Sequence, residues 1–160
     1  MWQTRRVGKH GGTNRFKRFV LRAPIGLYRV GLGGLLGSRF LLLEHVGRTS
    51  GEMRQTVLEV LETGDDGAPV IASGFGVTSQ WFKNVAANPD VWFTRRRTRT
   101  HAKAQRLDRV QAVEVFECYR VDHARAAKAL GSRIGVSLID ELDTAAEGIP
   151  LFRLEAQPAG

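Results

Sequence analysis

The chain has 160 residues, 42% of them hydrophobic and 25% charged, which suits one soluble globular domain that buries its core without staples. A single cysteine, Cys118, excludes an intrachain disulfide framework and fits a reducing, cytoplasmic setting. No signal-peptide pattern opens the chain, and no apolar stretch approaches the roughly 18–20 residues that span a bilayer.

The net charge of +8 is concentrated at one end. Nine basic residues and no acidic one precede Glu44, whereas the rest of the chain carries 15 Lys+Arg against 16 Asp+Glu. The basicity therefore belongs to an N-terminal arm, a distribution that points to an anionic surface or partner, or to a solvated tail. Residues 1–13 read as a flexible leader. From Asn14 to Val30, Phe16, Phe19, Val20, Leu21, Ile25, Leu27 and Tyr28 alternate with Lys17, Arg18, Arg22 and Arg29, predicting one or two short basic amphipathic helices. Gly31 to Gly37 (GLGGLLG) lacks both the preceding strand and the spacing of a dinucleotide fingerprint, and reads as a glycine turn.

Beyond the arm the pattern is that of β-structure. Phe40–His45 is a short apolar run, and Thr56–Glu62 is rich in β-branched residues. The turn cluster Thr63–Gly67 joins that second run to a strand over Ala68–Ser73, completing a hairpin. Trp81–Ala87 predicts a short helix ended by Asn88-Pro89. Asp90–Thr94 and Thr98–Leu107 form a second hairpin around the tip Arg95-Arg96-Arg97, with at least one of Trp92 and Phe93 facing the core. From Asp108 the periodicity of Val110, Val113, Val115, Phe116 and Tyr119 is helical. Asp122 reads as the N-cap of a second helix through Leu130 closed by Gly131, Ser137–Glu147 as a third helical piece, and Ile149–Glu155 as the last strand. The expected fold is α+β: a small antiparallel split β-barrel with flanking helices, which removes unpaired strand edges. The expected division is a basic arm over residues 1–24 and a barrel domain over residues 25–157.

His10, His45, His101 and His123 are scattered without metal-ligand spacing, so no metal site is expected. There is no nucleophile elbow and no phosphate-binding P-loop. Cys118 falls in an amphipathic helix and reads as a core thiol, so no catalytic side chain is assigned. What remains are anion-binding groups in three clusters. The stretch GRTSGEMRQ, residues 47–55, presents Arg48, Ser50, Gly51 and Arg54 directly after an apolar strand. Ser73-Gly74-Phe75-Gly76 ends the next strand but one. Thr78 and Ser79 precede the helix at Trp81, whose free N–H groups and dipole favour an anion. Arginine suits a bidentate grip on phosphate or carboxylate. Taken singly, each cluster reads more readily as a solvated turn or an ordinary cap.

In order, Leu42–Leu58, Ile71–Gly76 and Trp81–Pro89 resemble the deazaflavin-dependent nitroreductase family, split-barrel oxidoreductases that use coenzyme F420. Ile149–Glu155 resembles that family's final strand, and Leu27–Phe40 one of its branches. The resemblance implies that Arg48, Thr49, Ser50, Gly51 and Arg54 hold the phosphate and tail carboxylates of the coenzyme. It implies that Ser73 and Gly74 lie against the ring or its ribityl chain, that Trp81 and Asn84 pack and hydrogen-bond around the cofactor, and that Lys83 adds a cation near the tail. The chain departs from the family pattern at Thr49, where many members carry Lys, and at Met53, where Pro is frequent. It departs also in the short loop Phe75–Gln80 and in lacking evident counterparts of the substrate-side tyrosines, for which Tyr28 and Tyr119 are the candidates.

The implied reaction is hydride transfer from the reduced deazaflavin to an electron-poor small molecule such as a quinone, enone or nitro compound, with the protein supplying orientation and electrostatics. Two alternatives stand beside it: a split-barrel reductase using FMN, and a non-enzymatic basic module that binds anionic lipid or nucleic acid. Nucleic acid is the less favoured partner, because charge alone supplies only sequence-independent binding. Contact of the basic arm with the inner face of an anionic membrane, where lipidic quinones reside, fits the reductase reading.

Overall fold

The computed structural model describes residues 37–158, apart from the side chains of Arg133 and Ile134. The expected leader, the basic helices and most of the GLGGLLG turn lie outside the described residues, as does the expected boundary between residues 24 and 25. Six strands, β1 (Phe40–Val46), β2 (Met53–Thr63), β3 (Pro69–Ala72), β4 (Asp90–Arg95), β5 (Thr98–Arg106) and β6 (Leu151–Ala156), close a barrel in the order β1-β2-β3-β6-β5-β4. Every neighbouring pair is antiparallel. Helix α1 (Gln80–Ala87) links β3 to β4, and α2 (Arg109–Asp122), α3 (Ala124–Ile134) and α4 (Leu142–Gly148) link β5 to β6.

Two hydrophobic cores follow from the alternation of the strands. Leu41 and Leu43 of β1, Val91 and Phe93 of β4, Ala102 and Ala104 of β5, and Phe152 and Leu154 of β6 fill the barrel, plugged at one end by Phe82 and Val85 of α1. The opposite faces of β2, β3 and β6 (Leu61, Val70, Leu151) pack with Val115, Phe116 and Tyr119 of α2, Ala127 of α3 and Ala145 of α4. A one-residue slip of β1 would turn Leu41 and Leu43 outward, at a cost of about 1.5–3 kcal/mol for each buried side chain. Register is therefore pinned, and with it the facing of His45 and Arg54 across β1 and β2. As expected for the Trp92-Phe93 pair, Phe93 is buried and Trp92 faces outward.

Three expectations are corrected. Asp122 is the last residue of α2 and does not cap the next helix; His123 occupies that position. Gly131 lies inside α3, which ends at Gly135 in the left-handed conformation (φ 75°). A side chain at Gly131 would collide with the Val136 carbonyl, so this glycine serves close approach of the returning chain. Cys118 is exposed, because the helix turns Val115, Phe116 and Tyr119 inward and leaves residue 118 on the solvent side. Helix α2 is anchored by a capping box, with Asp108 Oδ1 accepting from the Gln111 N–H at 2.9 Å and Gln111 Oε1 accepting from the Asp108 N–H at 3.0 Å.

Candidate functional site

The β1–β2 hairpin loop reverses through a tight turn. The Gly51 N–H donates to the Gly47 carbonyl at 2.8 Å, the Gly47 N–H donates to Glu52 O at 2.8 Å, and Gly51 adopts φ 69°. Gly51 thus contributes the left-handed conformation that closes the loop, and its N–H is engaged within it. The loop faces the N-terminal half of α1 across an open cleft of about 530 Å³, a volume within the range of small-molecule sites.

Arg48 is held by three hydrogen bonds to two side chains of α1. Asn84 Oδ1 accepts from the Arg48 backbone N–H at 3.2 Å and from its Nη1 at 2.9 Å, and Gln80 Oε1 accepts from Nη2 at 3.1 Å. A guanidinium carries five N–H donors, so these bonds orient the group while leaving others to face the cleft. On the same hairpin Arg54 bonds Glu52 at 2.7 Å and Ser50 Oγ at 3.5 Å. Both Arg54 and Glu52 are more than half exposed, so their pair is weak and open to displacement by a stronger anion.

Trp81 forms the apolar wall. Half-buried, it packs on Phe152 and Phe82 with ring centroids 6.2 and 6.4 Å away, which ties the cleft surface to the barrel core. Arg48, Thr49, Ser50, Arg54, Trp81 and Asn84 of the anticipated set line the cleft. Ser73 does not: it is fully buried, its hydroxyl donating to Gly76 O at 2.7 Å and sharing a 2.8 Å bond with Ser79 Oγ. It joins the end of β3 to the N-cap of α1 and so sets where that helix starts. Gly74 makes room for Leu130 of α3, whose Cδ1 would lie 3.1 Å from an added Cβ. Lys83 is exposed on α1 and outside the cleft lining.

Five residues of the lining were not anticipated as site residues: His45, Gly47, Gln55, Thr56 and Gln80. His45 shares the inward parity of Leu41 and Leu43, a signal available in the strand alternation, and it is 3% exposed. Its Nδ1 lies 3.3 Å from Asn84 Nδ2. Burial holds its pKa below the ordinary value, opposed by a hydrogen bond to the Val46 backbone and reinforced by the Arg54 charge. Tyr119, a substrate-side candidate by resemblance, is instead buried under α2, where its hydroxyl donates to Glu59 at 2.8 Å.

Solved structures share this architecture. An F420-H2 dependent reductase, FDR-A, aligns with a TM-score of 0.53 at 21% identity, covering 73% of this chain and 94% of that one. A pyridoxamine 5'-phosphate oxidase-related, FMN-binding protein from Nostoc punctiforme aligns at 0.54 and 13% identity, covering 87% and 79%. A putative 5-nitroimidazole antibiotic resistance protein from Bacteroides thetaiotaomicron aligns at 0.54 and 9%, covering 78% and 76%. At such identities the likeness is one of fold, and the class it defines is the split β-barrel of FMN-binding and pyridoxamine phosphate oxidase-like proteins. No curated protein matches the chain. Residues 26–134, more than half of the sequence, match the F420H(2)-dependent quinone reductase family, and the chain belongs to that family. It is an oxidoreductase, and its cofactor is coenzyme F420.

Proposed function

We propose that this chain transfers a hydride from reduced coenzyme F420 to a small electron-poor acceptor of the quinone, enone or nitro class, and that the cleft between the β1–β2 loop and α1 holds the coenzyme. The observation that carries this reading is the seating of Arg48: a guanidinium oriented by Asn84 and Gln80, lining one cleft with Arg54 and Ser50, is a preformed grip for a polyanion. A polyanionic phosphate and oligoglutamate tail fits that donor set. Arg48 and Arg54 take its charged oxygens, Ser50 and Thr49 supply hydroxyls, and Gly51 keeps the loop closed enough for its side chains to converge.

Trp81 gives a flat wall for the ring and, packed on Phe152, keeps that side of the cleft dry. Ser73 acts by fixing the start of α1, and Gly74 by admitting Leu130 of α3. Lys83, one turn along the exposed face of α1, offers a more distant cation for a long tail. Bound in its reduced form the coenzyme supplies the hydride, so the chain needs no nucleophile; its residues bind, orient and exclude water.

Fluorescence titration with oxidised coenzyme F420, with FMN in parallel, tests the reading. Each arginine bond to an anion contributes about 1.5–3 kcal/mol, so Arg48→Ala and Arg54→Ala should each weaken binding by roughly ten- to a hundred-fold. Binding of FMN but not coenzyme F420, or unchanged affinity in both variants, would remove it.

The basic arm, residues 1–24, suits contact with an anionic membrane surface where lipidic acceptors reside. Among the described residues no helix is long and apolar enough to cross a membrane. Sedimentation with anionic liposomes, comparing the full chain with one lacking residues 1–24, tests this; equal and salt-insensitive partitioning would count against it. Nucleic acid is disfavoured by the exposed ring of Trp92, which already carries Arg99 at 4.0 Å and His101 at 4.8 Å.

A further inference from the structure

Behind Arg48 lies a hydrogen-bonded relay whose protonation states are forced. Arg48 can only donate, through both its backbone N–H and its guanidinium. The atom of Asn84 that meets those two donors, at 3.2 and 2.9 Å, must therefore be the amide oxygen. The amide nitrogen then points to His45 Nδ1 at 3.3 Å, and it too can only donate. His45 Nδ1 has to be the acceptor, which makes the ring neutral with its proton on Nε2. Asn84 is 6% and His45 3% exposed, so water has little room to relieve a mismatch.

A proton on Nδ1 would set donor against donor. Flipping the Asn84 amide would satisfy the imidazolium, but would turn an NH2 group toward the two Arg48 donors. Either response loosens the seat of Arg48. The charged groups beside the ring are Arg54, its partner across β2, and Arg48 in the loop; α1 presents Asn84. Glu44, the adjacent residue of β1, faces the other side of the sheet and is bonded to Arg99 at 2.7 Å and Gln55 at 3.2 Å. Nothing charged in this set favours an imidazolium; the Val46 backbone, which does, is outweighed by burial.

We infer that His45 is a positioning residue for the anion grip, acting through Asn84, so that Arg48 holds its ligand only while Nδ1 of His45 is unprotonated. The inference rests on the reading of the cleft as the coenzyme site and adds a control element from this chain's own strand β1. By reciprocity, an anion that depends on the seated Arg48 also holds His45 neutral.

The experiment is a titration of the full chain with oxidised coenzyme F420 at several values between about pH 5 and pH 8, with His45→Asn and His45→Leu alongside. Asparagine keeps an acceptor near the Nδ1 position and does not titrate; leucine removes the acceptor. Wild-type affinity should fall at least about ten-fold relative to His45→Asn as the ring becomes protonated, an amount equal to one hydrogen bond of this kind. His45→Leu should bind more weakly than His45→Asn throughout. Ionisation of the coenzyme itself is common to all three proteins and cancels in the comparison.

A second readout needs no coenzyme. Nitrogen NMR of the ligand-free chain should show His45 as the Nε2–H tautomer, and the Asn84 side-chain amide signals should move with the His45 titration. Parallel pH profiles for wild type and His45→Asn, or an Nδ1–H tautomer, would overturn the relay. Failure of the wild type to bind coenzyme F420 at any pH would instead overturn the site reading, and the ring measurement would still decide the relay.

Discussion

Asn84 Oδ1 accepts two hydrogen bonds from one residue, the backbone N–H and the guanidinium of Arg48, across 36 positions of sequence. This single buried amide joins the β1–β2 loop to α1 and makes the two walls of the cleft one unit. Asn84→Ala leaves the Arg48 N–H and His45 Nδ1 without that partner, and should cost about 1–3 kcal/mol of stability as well as coenzyme affinity. Gln80→Ala, at an exposed position, should leave stability within about 0.5 kcal/mol and weaken only binding. Urea midpoints and coenzyme titrations on both variants would separate the two effects; equal stability losses would contradict this division.

Tyr119 and Glu59 make a second long-range tie, between α2 and β2. Glu59 Oε1 accepts from Tyr119 Oη at 2.8 Å and from Arg39 at 3.0 and 2.8 Å. Burial and the carboxylate raise the phenol pKa, so it remains a donor at ordinary pH. Tyr119→Phe should lower stability by about 1.5–2 kcal/mol, the worth of a hydrogen bond to a charged group. Arg39→Ala should cost less than about 1 kcal/mol, because that ion pair is partly solvated. Chemical denaturation of the two variants ranks them directly, and the reverse order would refute the assignment.

Two glycines of the helical layer should respond oppositely to alanine. At Gly131 an added Cβ meets the Val136 carbonyl and lies 3.1 Å from the Leu138 N, both backbone atoms that cannot swing aside. Gly131→Ala should therefore destabilise by about 1–3 kcal/mol, as overpacking does. Gly148, the last residue of α4, has nothing within 4 Å of an added Cβ and no positive φ. Gly148→Ala should raise stability by about 0.4–1 kcal/mol by restricting the unfolded chain. Thermal melts of the pair suffice.

Stability should carry a pH dependence from His45. Its folded pKa lies below the ordinary value of 6.5, so the unfolded chain binds more protons in the interval between them. The contribution is fully present above that ordinary value and is lost as pH falls from it toward the lowered folded one. His45→Asn should flatten this part of the profile. Urea midpoints of both proteins at several pH values check it, and identical profiles would exclude His45 as the source.

Much of the fold was legible because its signals are local. The apolar run Phe40–His45, the turn chemistry at residues 63–67 and the stop at Asn88-Pro89 each dictate an element from a few neighbouring side chains. Helix boundaries around Asp122 and Gly131 were misread for the complementary reason. An aspartate and a glycine carry the local marks of caps, but packing of α3 against the returning chain used Gly131 for contact and Gly135 for the ending. Exposure of Cys118 and of Val110 likewise follows from which face α2 turns to β2, a choice its scattered apolar residues do not settle.

By itself the sequence determined the antiparallel α+β order, the anion-binding character of residues 47–55 and the resemblance that led to coenzyme F420. Tertiary structure decided which of those groups converge. Arg48, Asn84 and His45 lie on three different segments, and barrel closure brings them within hydrogen-bond reach. Ser73 kept its place beside α1 but spent its hydroxyl on Gly76 and Ser79. The physical reason is the same in each case: residue type fixes what a group can donate or accept, and only the packed chain decides which partner it meets.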